Sequence, residues 1–265
     1  MTPPPDSFFV REGDLYRATE LTRGPWSPHH QHGGPPSALL AGLLEKAHEA
    51  AGGDDARIAR FTMMFHKPIG IDRFRVELES VREGKKVRVA RAHLLAAKDG
   101  KPVASAEALF VRRDTSIVEA TPVEPPRAPA DCPPFEFSFF REAVGYHTAM
   151  ESRLIDGVFG EGKMAVWMRA RVSVLPGEAL SPIQRVVVAA DSGNGISVAL
   201  DLSKLTFVNP DLTVVLGRAC EGEWVAVDAK TTVGPDGIGI ADALLSDARG
   251  SIGRGVQSLI IERRA

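Results

Sequence analysis

Apolar and polar positions alternate along the chain in two series of elements that follow the same order. Between Pro35 and Ala51, Leu39, Leu40, Leu43, Leu44 and Ala47 recur at spacings of three and four, which predicts an amphipathic helix. Prolines in its first turn cost no hydrogen bond, and Gly52 and Gly53 supply a stop. Beyond the helix the period changes to two. Phe74, Val76 and Leu78 alternate with Arg73, Arg75, Glu77 and Glu79, the signature of a half-buried strand. Residues 85–113 read as a hairpin turning at Lys98-Asp99-Gly100-Lys101.

The second series repeats this plan. Residues 162–174 predict a strand, and Ser181 and Pro182 suit the N-cap and first position of a short helix. Strand-like segments follow to residue 261, the last pair turning at Asp247-Ala248-Arg249-Gly250. Between the series, residues 112–134 carry six prolines and little periodicity, which reads as an extended connection. The boundaries expected are residues 1–115, a Pro-rich linker at 116–136, and residues 137–265. One helix followed by antiparallel strands, twice over, predicts an α+β fold. It would hold two antiparallel sheets, each wrapped around a central helix, with the halves packed together to cover sheet edges.

Bulk properties narrow the function. With 44% hydrophobic residues in 265, the chain can bury a substantial core. A formal charge of −2 gives no basic field for nucleic acid. No basic-then-apolar leader opens the sequence, and no apolar run approaches the ~20 residues of a membrane span. A cytoplasmic location is expected. Cys132 and Cys220 are too few for a disulfide framework or a structural zinc site.

Candidate chemistry gathers at three places. Asp191 lies four residues past Val187, continuing an apolar helical stripe, so it is either a partly desolvated base or a residue that turns the chain into Ser192-Gly193-Asn194-Gly195. Gln257 sits in the apolar final strand, where it either needs buried partners or faces solvent. Gly33 and Gly34 permit close approach to a helix N-terminus, whose free N–H groups suit an oxyanion; the other reading is a plain glycine-rich helix entry. His29, His30 and His32 invite a metal, but neighbouring histidines diverge and no acidic or thiol cluster accompanies them, so no metal is expected.

Three stretches, "HGGPPSALLA", "VVVAADSGNG" and "SIGRGVQSLII", together with the duplicated order, resemble the acyl-CoA thioesterase II family and its thioesterase-like relatives. That resemblance implies a double hot-dog fold, an acyl-CoA substrate, no cofactor, and catalytic roles for Asp191 and Gln257 in placing a water molecule. It implies an oxyanion site at Gly33 and Gly34 and an acyl pocket near Leu39, Leu43 and Val187. The family's water-holding threonine aligns with Ala199, a departure that leaves either Ser203 or Ser197 to supply the hydroxyl or the triad incomplete. Uncovered sheet edges make a homo-oligomer expected. The rival readings are an acyl-CoA-binding protein without turnover and an enoyl-thioester hydratase; no histidine follows Asp191 as the latter would need.

Overall fold

The computed structural model describes residues 5–53, 55–114, 116, 121 and 123–264. The first half runs β1 (Phe9–Glu12), β2 (Leu15–Ala18), α1 (Gly34–Ala50), β3 (Ala56–Phe65), β4 (Arg73–Arg82), β5 (Val87–Ala96) and β6 (Pro102–Arg112). The second runs α2 (Tyr146–Ala149), β7 (Met150–Gly157), β8 (Lys163–Ala170), α3 (Pro182–Ala190), α4 (Gly193–Ile196), β9 (Leu205–Val208), β10 (Asp211–Leu216), β11 (Val225–Val233), β12 (Ile238–Asp247) and β13 (Gly250–Arg263).

The duplication is explicit in the strand order. The first half is ordered β1-β2-β4-β5-β6-β3, and the second continues β10-β13-β12-β11-β8-β7, the same sequence of counterparts read backwards. Only β9, added on β13, lacks a counterpart. The expected two sheets are hydrogen-bonded into one, because β3 and β10 pair antiparallel from Asp211↔Met64 to Val215↔Arg60. Each would otherwise present an open row of N–H and C=O groups, and each closes the other's edge.

The two long helices touch each other as well as the strands. α1 contacts β3, β5 and β6, while α3 contacts β8, β10, β11 and β12. Residues from Gly34 to Gly42 are all buried, not just the leucine stripe, since α3 covers the face that the sheet does not. Contacts run in opposite directions along the pair: Gln184 Nε2 donates to Ala38 O at 3.2 Å near one end, and Lys46 pairs with Glu178 at 2.5 Å further along. The N-terminus of α1 therefore lies beside the C-terminus of α3.

Part of the connection between the halves is pinned down. Arg127 donates to Leu154 O and Ile155 O, and the buried Trp167 indole donates to Arg127 O at 2.7 Å. Residues 117–120 and 122 of the expected linker lie outside the described residues. Trp224 takes the Arg169 guanidinium over its ring, 4.8 Å from the centroid.

One buried ion pair ties loop to turn. Asp247, with a fully buried side chain, accepts from Arg218 Nη1 and Nη2 at 2.5 and 2.6 Å and from the N–H groups of Glu221 and Arg249. Burial pushes its carboxyl up, but Arg218 and the two N–H groups outweigh that and hold it below the usual range. Removing it leaves a largely enclosed guanidinium unpaired, so Asp247→Ala should cost about 3 kcal/mol in urea unfolding. Since the folded-state pKa is depressed, this contribution is present above the unfolded value. The difference between wild type and variant should stay constant above about pH 4 and shrink as pH falls below it.

Candidate active site

Asp191 follows the last residue of α3, one helical turn beyond Val187, and its side chain is 3% exposed. Two amide donors and one histidine nitrogen meet it. Oδ1 accepts from Asn209 Nδ2 at 2.9 Å and Gln257 Nε2 at 3.3 Å, while Oδ2 lies 3.0 Å from His32 Nδ1. Gln257 projects from β13, Asn209 from the β9–β10 connection, and His32 from just ahead of α1. A carboxylate buried so deeply keeps its charge only when such donors replace water.

Gln257 turns its amide nitrogen to Asp191 and its oxygen to the start of α4. Its Nε2 donates to Asp191 O at 3.1 Å as well as to the carboxylate, and its Oε1 accepts from Asn194 N–H at 3.0 Å. It is 1% exposed. The amide holds Asp191 in place.

His32 lies flat on Tyr146, with ring centroids 3.8 Å apart and planes within 2°. Tyr146 is itself held: its hydroxyl donates to Val188 O at 2.7 Å and lies 2.9 Å from Ser192 Oγ. Burial pushes the Tyr146 phenol well above its ordinary value, so it remains a protonated donor. Gly34 N–H points at His32 Nδ1 at 3.1 Å. The closeness of α1 to Asp191 requires glycine: a Cβ on Gly33 would stand 2.8 Å from Asp191 Oδ2, and one on Gly34 would stand 2.6 Å from Val188 O.

These groups open onto a cavity of about 350 Å³. Its polar wall holds His32, Gly33, Asp191, Ser192, Asn194 and Asn209; its apolar wall holds Trp26, Phe65, Phe137, Phe139, Phe140 and Tyr146. The stretch Phe65–Ile69 at the end of β3 and the β9–β10 connection at Val208–Pro210 both line it. Exposed His66 and Lys67 stand at the rim. Phe139 stacks on Trp26, and Trp26 meets Phe207 edge-on. Four phenylalanines between residues 135 and 140 are a signal that periodicity does not capture.

The remaining expected site residues lie elsewhere. Leu39 and Val187 are at most 1% exposed in the closed core, and Leu43 packs against it; none is on the cavity wall. Their side chains pack helices against sheet. Ser197 Oγ is buried against Gly193 O and Thr231 Oγ1. Ser203 is exposed in a turn, bonded to Asp201, whose carboxyl those Ser203 bonds pull down to about 2. Neither serine lines the cavity, and Ala199 is exposed. The side-chain donors to the carboxylate are the amides of Asn209 and Gln257, and no hydroxyl joins them. His29 is exposed and His30 pairs its backbone with Gly70, so the three histidines diverge. Among the described residues no group of His, Cys, Asp and Glu is placed to hold a metal ion, and no helix is long and apolar enough to cross a membrane.

Residues 22–111 match the family model of the acyl-CoA thioesterase N-terminal domain, and residues 129–261 match that of the C-terminal domain. No functionally curated protein matches the chain. Among solved structures, a protein of unknown function with a hot-dog fold from Alicyclobacillus acidocaldarius is 16% identical, with 97% of this chain and 96% of that one covered at a TM-score of 0.73. The tesB protein of Mycobacterium avium subs paratuberculosis is 15% identical over 96% of this chain and 95% of its own, TM-score 0.69. The acyl-CoA thioesterase II TesB2 of Mycobacterium marinum is 15% identical with the same coverages, TM-score 0.65. At such identities these likenesses show the fold, which is the hot-dog fold.

Proposed function

The chain belongs to the acyl-CoA thioesterase family, and from that premise we propose that it hydrolyses a fatty or related acyl-CoA thioester by attack of water at the Asp191 end of the aromatic cavity. One observation carries the reading. A single carboxylate, buried but braced by amide donors from two separate segments and approached by His32, faces an apolar cavity large enough for a small-molecule ligand. The braced charge polarises the attacking water, and the surrounding apolar wall strengthens that interaction by excluding bulk solvent. Asn209 and Gln257 act as positioning residues for Asp191. The acyl group lies against Phe65, Phe137, Phe139 and Phe140, with the polar half of the thioester toward the rim at His66 and Lys67.

The test is a hydrolysis panel of acyl-CoA thioesters of increasing chain length, read by thiol release and paired with a binding assay. Turnover of at least one member at a kcat above about 1 per second supports the reading. Binding across the panel without thiol release would replace it with the acyl-CoA-binding alternative.

A further inference from the structure

Asn194, in α4, is 5% exposed and lines the cavity. Its side-chain amide makes no hydrogen bond to any described residue, yet neither amide atom is among the sealed, unpartnered polar atoms, as Gln31 Oε1 and His147 Nδ1 are. The little surface that Asn194 keeps therefore includes its amide, and the cavity is what that amide meets. Burying an amide without a partner costs free energy, which a ligand in the cavity would recover. Neighbouring donors are engaged within the protein. Tyr146 gives its proton to Val188 O, so the Ser192 hydroxyl donates to Tyr146. Asn209 Nδ2 is divided between Asp191 Oδ1 and Asp211 O. Gly34 N–H, an oxyanion donor expected from the sequence, goes to His32 Nδ1. Asn194 is also tied to Asp191, three residues before it. The Gln257 amide joins the two, its nitrogen donating to Asp191 O and its oxygen accepting from Asn194 N–H. Gly193 makes room for this clasp, since a Cβ there would stand 2.9 Å from Gln257 Oε1.

We propose that Asn194 is a catalytic residue whose side-chain NH2 donates to the thioester carbonyl oxygen. This rests on the hydrolase reading of the cavity and names the group that holds the reacting end of the substrate. As water adds to the thioester carbon, the new C–O bond forms, the carbonyl π pair moves onto oxygen, and one proton of the water passes to the Asp191 carboxylate. The Asn194 donor binds that oxygen most tightly while it carries the charge. The pair then returns, the C–S bond breaks, and the proton passes from Asp191 to the departing thiolate, leaving acid and thiol. The two residues divide the work by charge. A carboxylate attracts the water but repels an oxyanion, so a neutral donor is needed on the oxygen side. Asp191 does not draw that donor away, because Asn209 and Gln257 occupy Oδ1 and His32 stands at Oδ2.

Asn194→Ala removes the amide, and Asn194→Asp keeps its size while putting an acceptor where the donor was. Both keep the backbone N–H that Gln257 holds. Each is assayed for thiol release beside wild type and Asp191→Asn on the same acyl-CoA thioester, with a thermal melt of every sample. The expected result is a kcat about a hundredfold or more lower in both Asn194 variants, with KM within about threefold. Their melting temperatures should match the wild type, since no bond within the protein is lost. A kcat loss below about tenfold in Asn194→Ala overturns the proposal. So does a loss carried by KM, which marks ground-state binding alone, or one that follows a lower melting temperature in both variants, which marks a structural role. If the wild type releases no thiol from any thioester, the hydrolase reading fails and this inference falls with it. An active wild type, an inactive Asp191→Asn and an active Asn194→Ala sink the role of Asn194 alone.

Discussion

Asp191→Asn should lower kcat for acyl-CoA thioesters by about a thousandfold or more while the protein stays folded. Asparagine has the size of aspartate, and its carbonyl oxygen can still accept from Asn209 and Gln257, which now converge on Oδ1. Its NH2 group then faces His32 Nδ1 where Oδ2 was. The charge that polarises water is lost. A positioned acid or base contributes about 10²–10⁴ in rate, which sets the scale. Steady-state thiol release and a thermal melt on the same sample check it. A folded variant with wild-type turnover refutes the role of Asp191.

Gly33→Ala should reduce kcat by about a hundredfold through geometry alone. The backbone there is already right-handed helical, φ −69° and ψ −20°, so alanine fits the local conformation. What it does not fit is the neighbourhood. The added methyl would stand 2.5 Å from Phe65 Cζ and 2.8 Å from Asp191 Oδ2. Phe65 is partly exposed and can yield, but the carboxylate is braced on both oxygens and cannot shift without loosening His32. A displacement of a few tenths of an ångström to one ångström at the reacting centre is the expected consequence. Thermal stability should fall as well, because Gly33 is the N-cap of α1, where alanine brings no helix-propensity gain to offset the lost packing. Normal kcat in Gly33→Ala would show that the approach of α1 to Asp191 is not tight enough to matter.

The elements that periodicity and turn chemistry specify locally were legible in the sequence. α1 begins at the glycine–proline run and ends before Gly52, whose φ of +76° suits glycine. The β5–β6 and β12–β13 hairpins turn where Gly100 and Gly250 supply positive φ. Asp191 stood out because a carboxylate interrupted an apolar stripe, and Gln257 because an amide interrupted an apolar strand. By contrast, β3 and β10 gave no sign that they would fuse two sheets into one, since pairing across 150 residues leaves no local trace. The same is true of His32. Read along the chain it is one of three histidines in a loop, and its partnership with Asp191 spans 159 positions. Leu39 and Val187 have the composition of a pocket wall, but composition does not distinguish packed core from cavity lining.

By itself, then, the sequence determined the duplicated order of elements, the helix and hairpin boundaries, and two polar residues placed where apolar ones would pack better. These follow from interactions between residues a few positions apart, whose spacing the chain carries directly. Only the tertiary structure decided which groups share the carboxylate, that Gln257 spends its amide on Asp191, and that an aromatic run beyond the Pro-rich connection lines the cavity. Those outcomes depend on distances between residues far apart in the chain, which antiparallel helix packing and the β3–β10 junction set and no local pattern encodes.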